Sequence, residues 1–339
     1  MTTIRRDTMD KLAVLTSGGD APGMNAAVRS VVRTALCYGK EIYGIYRGYS
    51  GLLEDDMISM TSSSVSGIVL HGGTMLKTAR CKAFFEEENR KKAVDILRKR
   101  GIEGLVVIGG DGSIQGAEKL TRLGMPTVTL PGTIDNDMHG TDETIGHDTA
   151  VNAVVSAVSR IRDTASAHNR AAIIEVMGRF AGNIALDAGL ACGAEYILVP
   201  EVPFSREKLA RSLKLQMKAG RTNSIIICAE GADDGRALSD WLTERTDIDI
   251  CTTILGFIQR GGQPTARDGI LGSVLGAAAV KALLEGETGA LAGMHRGEVR
   301  IISYEEAKKE KEPFKQKLYE LSVMLGAAQS SGDIRETGL

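Results

Sequence analysis

A chain of 339 residues, 43% of them apolar, can bury a large core, and its length is that of two domains rather than one. Forty-one Lys and Arg against 43 Asp and Glu leave a formal net charge of −2, so no global positive field exists to hold nucleic acid or an anionic membrane surface. No stretch reaches the roughly 18 apolar residues of a membrane span. The five cysteines (Cys37, Cys81, Cys192, Cys228, Cys251) are scattered without a CxxC pair, which argues against a disulfide framework or zinc site and for the reducing cytoplasm.

In chain order, the first eight to ten residues read as a loose tail. The apolar run 12–17 then closes on Gly18-Gly19, and a second run, 104–108, closes on Gly109-Gly110. Each is followed by helical periodicity, the βα rhythm of a parallel sheet. Val28, Val31, Val32, Ala35 and Leu36 mark one helix face, with Arg29 and Arg33 one turn apart on another. Ile114, Ala117, Leu120 and Leu123 mark a helix after Asp111-Gly112-Ser113. Both glycine clusters therefore stand where a strand hands over to a helix N-terminus, whose free N–H groups and dipole favour anions. Further buried strands are expected within 126–132, 171–178, 195–201, 224–231 and 251–257, and a helix over 148–161. Their polar and glycine residues gather at the C-terminal ends, where open α/β sheets bind ligands. The last dozen residues read as frayed.

Two nucleotide signatures fail. A Walker A loop needs a lysine that the stretch after Gly18 lacks, and the dinucleotide fingerprint at Gly110-Asp111-Gly112 carries Gln115 where its third glycine belongs, with Gly116 one place late. An acid inside a pyrophosphate turn would repel the phosphates, so Asp111 makes sense there with a divalent cation between it and the anion. A third constellation, 131–137 (PGTIDND), follows an apolar strand. Asp135 and Asp137 beside a glycine and the Thr133 hydroxyl can divide the work, one taking a proton from an alcohol and the other orienting a cation or its water. The five histidines, His71, His139, His147, His168 and His295, lack metal-ligand spacing and read as solvated or capping.

The ordered set 16–25 (TSGGDAPGMN), 109–113 (GGDGS), 131–137, 177–179 (MGR) and 259–262 (QRGG) resembles the bacterial ATP-dependent 6-phosphofructokinases of glycolysis over nearly the whole chain. The resemblance implies two Rossmann-like three-layer α/β/α lobes with mainly parallel sheets, magnesium, ATP as co-substrate, and a homotetramer whose active sites are shared between subunits. The larger, ATP-binding lobe would take 9–145 with 258–308, the smaller, sugar-phosphate lobe 146–257 with 309–327, leaving 1–8 and 328–339 as tails. Carried over position by position, Gly19, Arg80, Cys81, Gly110, Gly112 and Ser113 would surround the ATP phosphates and Asp111 would serve magnesium. Asp135 would be the base, with Thr133, Asp137 and Arg179 beside it. Ile134, Arg170, Met177, Gly178, Glu230 and Arg260 would complete the acceptor site, and Arg29, Arg33, Arg162, Gly193, Glu195 and Arg221 an effector site for ADP or phosphoenolpyruvate.

The resemblance also implies departures. Pyrophosphate-using members carry an acid and a lysine where Gly112 and Gly132 stand, so ATP is the expected donor. Members hold the acceptor 6-phosphate with three arginines and a histidine, two of the four from a neighbouring subunit. Here Cys251 takes the place of one arginine and Phe257 that of the histidine. Each lost charge-assisted bond costs on the order of 1.5–3 kcal/mol. Fructose 6-phosphate remains the leading acceptor; the open alternatives are another sugar phosphate or a weakly active regulatory subunit. Ser62, Ala219, Thr222 and Asn223 replace basic or imidazole residues of the effector site, which implies altered allostery.

Overall fold

The computed structural model describes residues 9–310 and 314–327; the expected tails lie outside them. In chain order the elements are β1 (Lys11–Ser17), α1 (Met24–Cys37), β2 (Glu41–Ile45), α2 (Gly48–Leu53), β3 (Met57–Ser59), α3 (Glu87–Lys99), β4 (Gly104–Gly109), α4 (Asp111–Arg122), β5 (Thr127–Pro131), α5 (His147–Ala167) and β6 (Ala171–Val176). They continue with α6 (Asn183–Ala191), β7 (Tyr196–Leu198), α7 (Arg206–Lys218), β8 (Ser224–Ala229), α8 (Gly235–Thr246), β9 (Ile250–Ile254), α9 (Ala266–Leu284), β10 (Ala290–His295), β11 (Glu298–Ser303), α10 (Tyr304–Lys309) and α11 (Gln316–Ala327).

The chain falls into two compact units. The first runs to Ile134 and adds Met138–Thr149 and the stretch from Arg260. Its seven-stranded sheet has the order β11-β10-β5-β4-β1-β2-β3, with β2, β1, β4, β5 and β10 parallel and β3 and β11 antiparallel at the edges. Strand alternation sends Ala13, Leu15, Leu105 and Val107 into one apolar cluster with Leu97 of α3 and Leu120 of α4. Helices α1 and α9 pack on each other. A β-carbon on Gly272 or Gly276 of α9 would press on α1 backbone, at 2.8 Å from Gly23 O and 2.7 Å from Ala27 O, so small residues set this close approach.

The second unit takes Asp135–Asp137, Ala150–Gln259 and the described residues from 314 onward. Its four-stranded sheet is wholly parallel in the order β7-β8-β6-β9. Tyr196, Leu198, Ile226 and Cys228 from alternate strand positions pack with Leu209 and Leu213 of α7 and Leu238 and Leu242 of α8. Burial pushes the Cys228 thiol up to about 12, so it stays protonated and serves as packing. Trp241 is half-buried beside this cluster, with the Arg245 guanidinium over its ring at 4.4 Å.

The strands expected at 126–132, 171–178, 195–201, 224–231 and 251–257 are all present, shorter by two to four residues, with β9 starting one residue earlier at Ile250. The helix expected over 148–161 runs on to Ala167.

Candidate functional site

In the first unit β5, β4 and β1 lie side by side, with Ser17 level with Gly109 and Gly109 level with Pro131. The turns Gly18-Gly19, Gly110-Asp111-Gly112 and Gly132-Thr133 therefore leave the same edge of the sheet as neighbours. Gly132 N–H donates to Gly109 O at 3.0 Å, and a β-carbon on Gly109 would overlap the Ser17 carbonyl. The helix α4 begins at Asp111 itself, the one acid in its first turn, and Asp111 Oδ2 accepts from Gln115 Nε2 at 2.7 Å. Asp111 and Gly112 are exposed, Ser113 is buried, and nothing lies within 4 Å of where a Gly112 side chain would start. A helix start on exposed Asp111 and Gly112, with open space at Gly112, is a candidate anion cradle.

The cradle is tied down by neutral groups. Tyr49 Oη donates to Ser113 O at 2.6 Å while its ring stacks on Phe84 at 4.0 Å. Burial pushes the Tyr49 hydroxyl well above its ordinary value, so it remains a donor. Thr78 Oγ1 donates to Gly18 O at 2.7 Å, which fixes the segment leading to Arg80, itself exposed, and to Cys81, which packs against the core. Arg260 lies over Gly19, its guanidinium occupying the place of a side chain there, and its Nη1 donates to Asp20 O at 3.3 Å. Thr133 is half-buried, with its Cβ 3.6 Å from where a β-carbon on Gly110 would stand. Thr133 O accepts from Thr144 Oγ1 at 2.6 Å, and the carbonyl of fully buried Ile134 accepts from His147 Nδ1 at 2.8 Å.

Among the described residues no group of three or more His, Cys, Asp or Glu could hold a metal unaided. Magnesium is commonly held by one or two carboxylates together with water and substrate phosphates. A single exposed carboxylate at the mouth of an anion cradle, as at Asp111, fits that mode.

In the second unit Asp135 is 4% exposed. Asn183 Nδ2 donates to Asp135 O at 3.2 Å and Asn136 O at 2.8 Å, holding the backbone of the segment, while Asp137 is exposed. At the C-terminal end of β6 the turn Met177-Gly178-Arg179 is pinned by side chains. Glu230 Oε1 accepts from the N–H groups of Gly178 at 3.2 Å and Arg179 at 2.8 Å, and buried Gln259 accepts from Met177 N–H at 3.2 Å. Gly178 has φ +144°, and a β-carbon there would overlap the Ala181 carbonyl. A hollow of about 280 Å³ opens at this end among Met177, Glu230, Ile254, Gly256 and Phe257. Its lining contains no Lys, Arg or His, and Phe257 is 82% exposed.

Arg170 and Cys251 stand at the other end of the same strands. Arg170 precedes β6 and pairs through Nε with Asp249 at 2.6 Å, while Cys251 is level with Ala172. A six-residue strand rises roughly 20 Å, so the expected acceptor residues of this unit divide between its two ends. Four expected effector residues do converge. Glu195 Oε1 pairs with Arg221 at 2.6 Å and Arg162 at 3.5 Å, and Arg162 also donates to the Cys192 and Gly193 carbonyls, both at 3.0 Å. Arg29 and Arg33 belong to α1 of the first unit, half-buried and exposed respectively.

Sequence reasoning passed over Asn183, Gln259, Thr144 and the role of His147. Only for Gln259 did a signal exist, its place in the QRGG motif; the others act on backbone carbonyls or amides that periodicity does not mark.

A family model described as phosphofructokinase matches residues 11–283. An ATP-dependent 6-phosphofructokinase of Paenibacillus macquariensis is 52% identical over 319 residues, 94% of this chain and 99% of that one. The counterpart of Clostridioides difficile is 50% identical over 317 residues, again 94% and 99%. The solved phosphofructokinase of Saccharomyces cerevisiae superposes with a TM-score of 0.83 at 37% identity over 94% of this chain and 48% of that one, so the chain spans about half the yeast chain's length. A pyrophosphate-dependent phosphofructokinase of Marinobacter aquaeolei shares the fold, with a TM-score of 0.81 at 22% identity over 90% of this chain and 86% of that one. Glycine turns on neighbouring parallel strands, an acid opening α4 and relatives at half identity along almost the entire chain lead to one conclusion: the chain belongs to the phosphofructokinase family.

Proposed function

We propose that this protein transfers the γ-phosphoryl group of ATP to the 1-hydroxyl of fructose 6-phosphate, giving fructose 1,6-bisphosphate and ADP in glycolysis, in the cytoplasm. The observation that carries the reading is the side-by-side exit of three glycine turns from β1, β4 and β5, with α4 starting on Asp111. Gly19, Gly110, Gly112 and Ser113 offer backbone and hydroxyl donors and Arg80 its guanidinium to the phosphates, with Cys81 next to it toward the adenosine side. Asp111 would hold magnesium, which when bound neutralises the phosphate oxygens and polarises the transferring group.

Asp135 takes the proton of the attacking hydroxyl, while Thr133, Asp137 and Arg179 steady the transferring group and its charge. Because a phosphoryl-transfer transition state is loose, holding these groups in line matters more than basicity. Met177, Gly178 and Glu230 form the sugar-hydroxyl wall, and Ile134 keeps the base-bearing segment buried. Open space at Gly112 favours ATP over pyrophosphate, as does Gly132, where any side chain would start 3.0 Å from Met24 Cε.

The 6-phosphate is met by Arg260, and by Arg170 and Cys251 of a neighbouring copy. Placement of Arg170 and Cys251 at the strand ends remote from Met177 supports an assembly of identical subunits, a homotetramer, with shared sites. Arg162, Gly193, Glu195 and Arg221, with Arg29 and Arg33, form an effector site. To the ATP-binding lobe we assign 9–145 with 258–308, and to the sugar-phosphate lobe 146–257 with 309–327. A second reading, a kinase for another sugar phosphate, draws on the hollow at Phe257, whose lining carries no basic side chain. One assay tests both: ADP release with MgATP, and separately with pyrophosphate, across a panel of sugar phosphates. Turnover with pyrophosphate alone would refute the donor assignment, and preference for another acceptor would select the second reading.

A further inference from the structure

The turn entering α5 grips the segment that leads to Asp135. Ile145 N–H donates to Pro131 O at 2.8 Å, Thr144 Oγ1 to Thr133 O at 2.6 Å, and His147 Nδ1 to Ile134 O at 2.8 Å. Three carbonyls within four residues are thus held from one short stretch, the last of them immediately before Asp135.

The gripping stretch is itself fastened. Asp268, 1% exposed in the first turn of α9, accepts from Gly146 N–H at 2.7 Å, Thr149 N–H at 2.8 Å and Thr149 Oγ1 at 2.5 Å, and Thr149 Oγ1 accepts from Thr265 N–H at 3.0 Å. A β-carbon on Gly23 would stand 2.8 Å from Ile145 Cγ2 and 3.2 Å from Asp268 Cβ, so the fastening is close-packed. The His147 bond ends on a rigid frame rather than a loose loop.

We propose that His147 is a positioning residue for phosphoryl transfer: by donating from Nδ1 to Ile134 O it fixes the peptide that carries Asp135. A carbonyl oxygen only accepts, so the His147 ring carries its proton on Nδ1 in this bond. Errors near an ångström in the placement of a reacting group cost rate steeply, and a group that acts on alignment lowers kcat while leaving nucleotide affinity alone. The inference rests on the phosphotransferase reading above.

The test compares His147→Ala, His147→Asn and His147→Gln in the full chain, with melting temperatures alongside steady-state kinetics. His147→Ala is expected to lower kcat by about tenfold, the effect of one part-buried hydrogen bond, with KM for MgATP within about twofold of wild type. Asn, whose amide nitrogen stands near the position of Nδ1, recovers most of the loss, whereas Gln, which reaches like Nε2, does not. An unchanged kcat in His147→Ala, equal recovery by Gln and Asn, or a kcat loss that merely follows the melting temperature across the three variants would overturn the proposal. Histidine-ring NMR of the wild-type chain gives an independent reading: Nδ1 protonated supports it, and a proton only on Nε2 overturns it. Absence of product from wild-type protein would instead break the phosphotransferase reading and the positioning role with it, and the ring tautomer then decides only whether His147 holds the Ile134 carbonyl.

Discussion

The glycine turns of the first unit and the hollow of the second are made of different material. The turns offer main-chain N–H groups at the start of α4 and bare space at Gly112, and their side-chain supports, Tyr49 and Thr78, bond to main-chain carbonyls. The hollow is walled by side chains, Met177, Glu230, Ile254 and Phe257 among them. A site built from backbone keeps its chemistry through most substitutions, because every residue type except proline supplies the same amide N–H. One built from side chains changes with each replacement: Phe257 stands in the wall of the hollow, while Cys251 lies at the opposite end of the same strands.

That contrast can be attacked in order of expected effect. Asp135→Ala should lower kcat by about 10²–10⁴-fold, the range for loss of a positioned base, measured by coupled ADP release; a variant within tenfold of wild type would remove Asp135 from the chemistry. Asp111→Ala should cost about a hundredfold at fixed magnesium and regain part of it as magnesium is raised, since several kcal/mol of charge stabilisation come through the ion. Indifference to magnesium concentration in that variant would count against the assignment. Among the side-chain replacements, Cys251→Arg with Phe257→His should lower KM for fructose 6-phosphate by about tenfold or more, each restored charge-assisted bond being worth about 1.5–3 kcal/mol. An unchanged KM would mean that the acceptor phosphate is held elsewhere.

Smaller effects probe the supports. Tyr49→Phe removes the bond to Ser113 O and should cost about 1 kcal/mol in denaturant unfolding, more than an exposed Tyr→Phe control. Asp268 gives a dependence on pH. Burial raises its carboxyl above the ordinary 3.8, against the bonds from Thr149 and Gly146 that lower it. The folded chain therefore binds that proton more tightly than the unfolded one, and this contribution to stability is full below 3.8 and lost as pH rises through the folded value. Asp268→Asn should flatten that part of a melting-temperature profile; identical slopes in both proteins would contradict it.

Much of this was legible from the chain. Apolar runs closing on glycine located β1 and β4, because a strand buried on both faces must be largely apolar and its turn toward a ligand must be lean. Val28, Val31, Val32 and Ala35 are buried as their spacing indicates, and Arg29 and Arg33 lie off that face. The hairpin of β10 and β11 went unread, although Arg296-Gly297, both at positive φ between paired His295 and Glu298, is the two-residue turn such strands need. Three-residue β3 is too short to show alternation. The grip of Thr144 and His147 on the Thr133 and Ile134 carbonyls could not be read at all, because bonds to main-chain oxygen leave no pattern in side-chain identity.

Arg260 over Gly19 has a bearing on tolerance to change. The atoms that a methyl at Gly19 would meet belong to the tip of a flexible side chain, whereas at Gly109 they include a main-chain carbonyl that has nowhere to go. Alanine substitution in these neighbouring turns should therefore have unequal effects, mild at 19 and severe at 109. The loss at 19 should shrink further when Arg260 is shortened, an epistasis between two positions 241 residues apart in sequence.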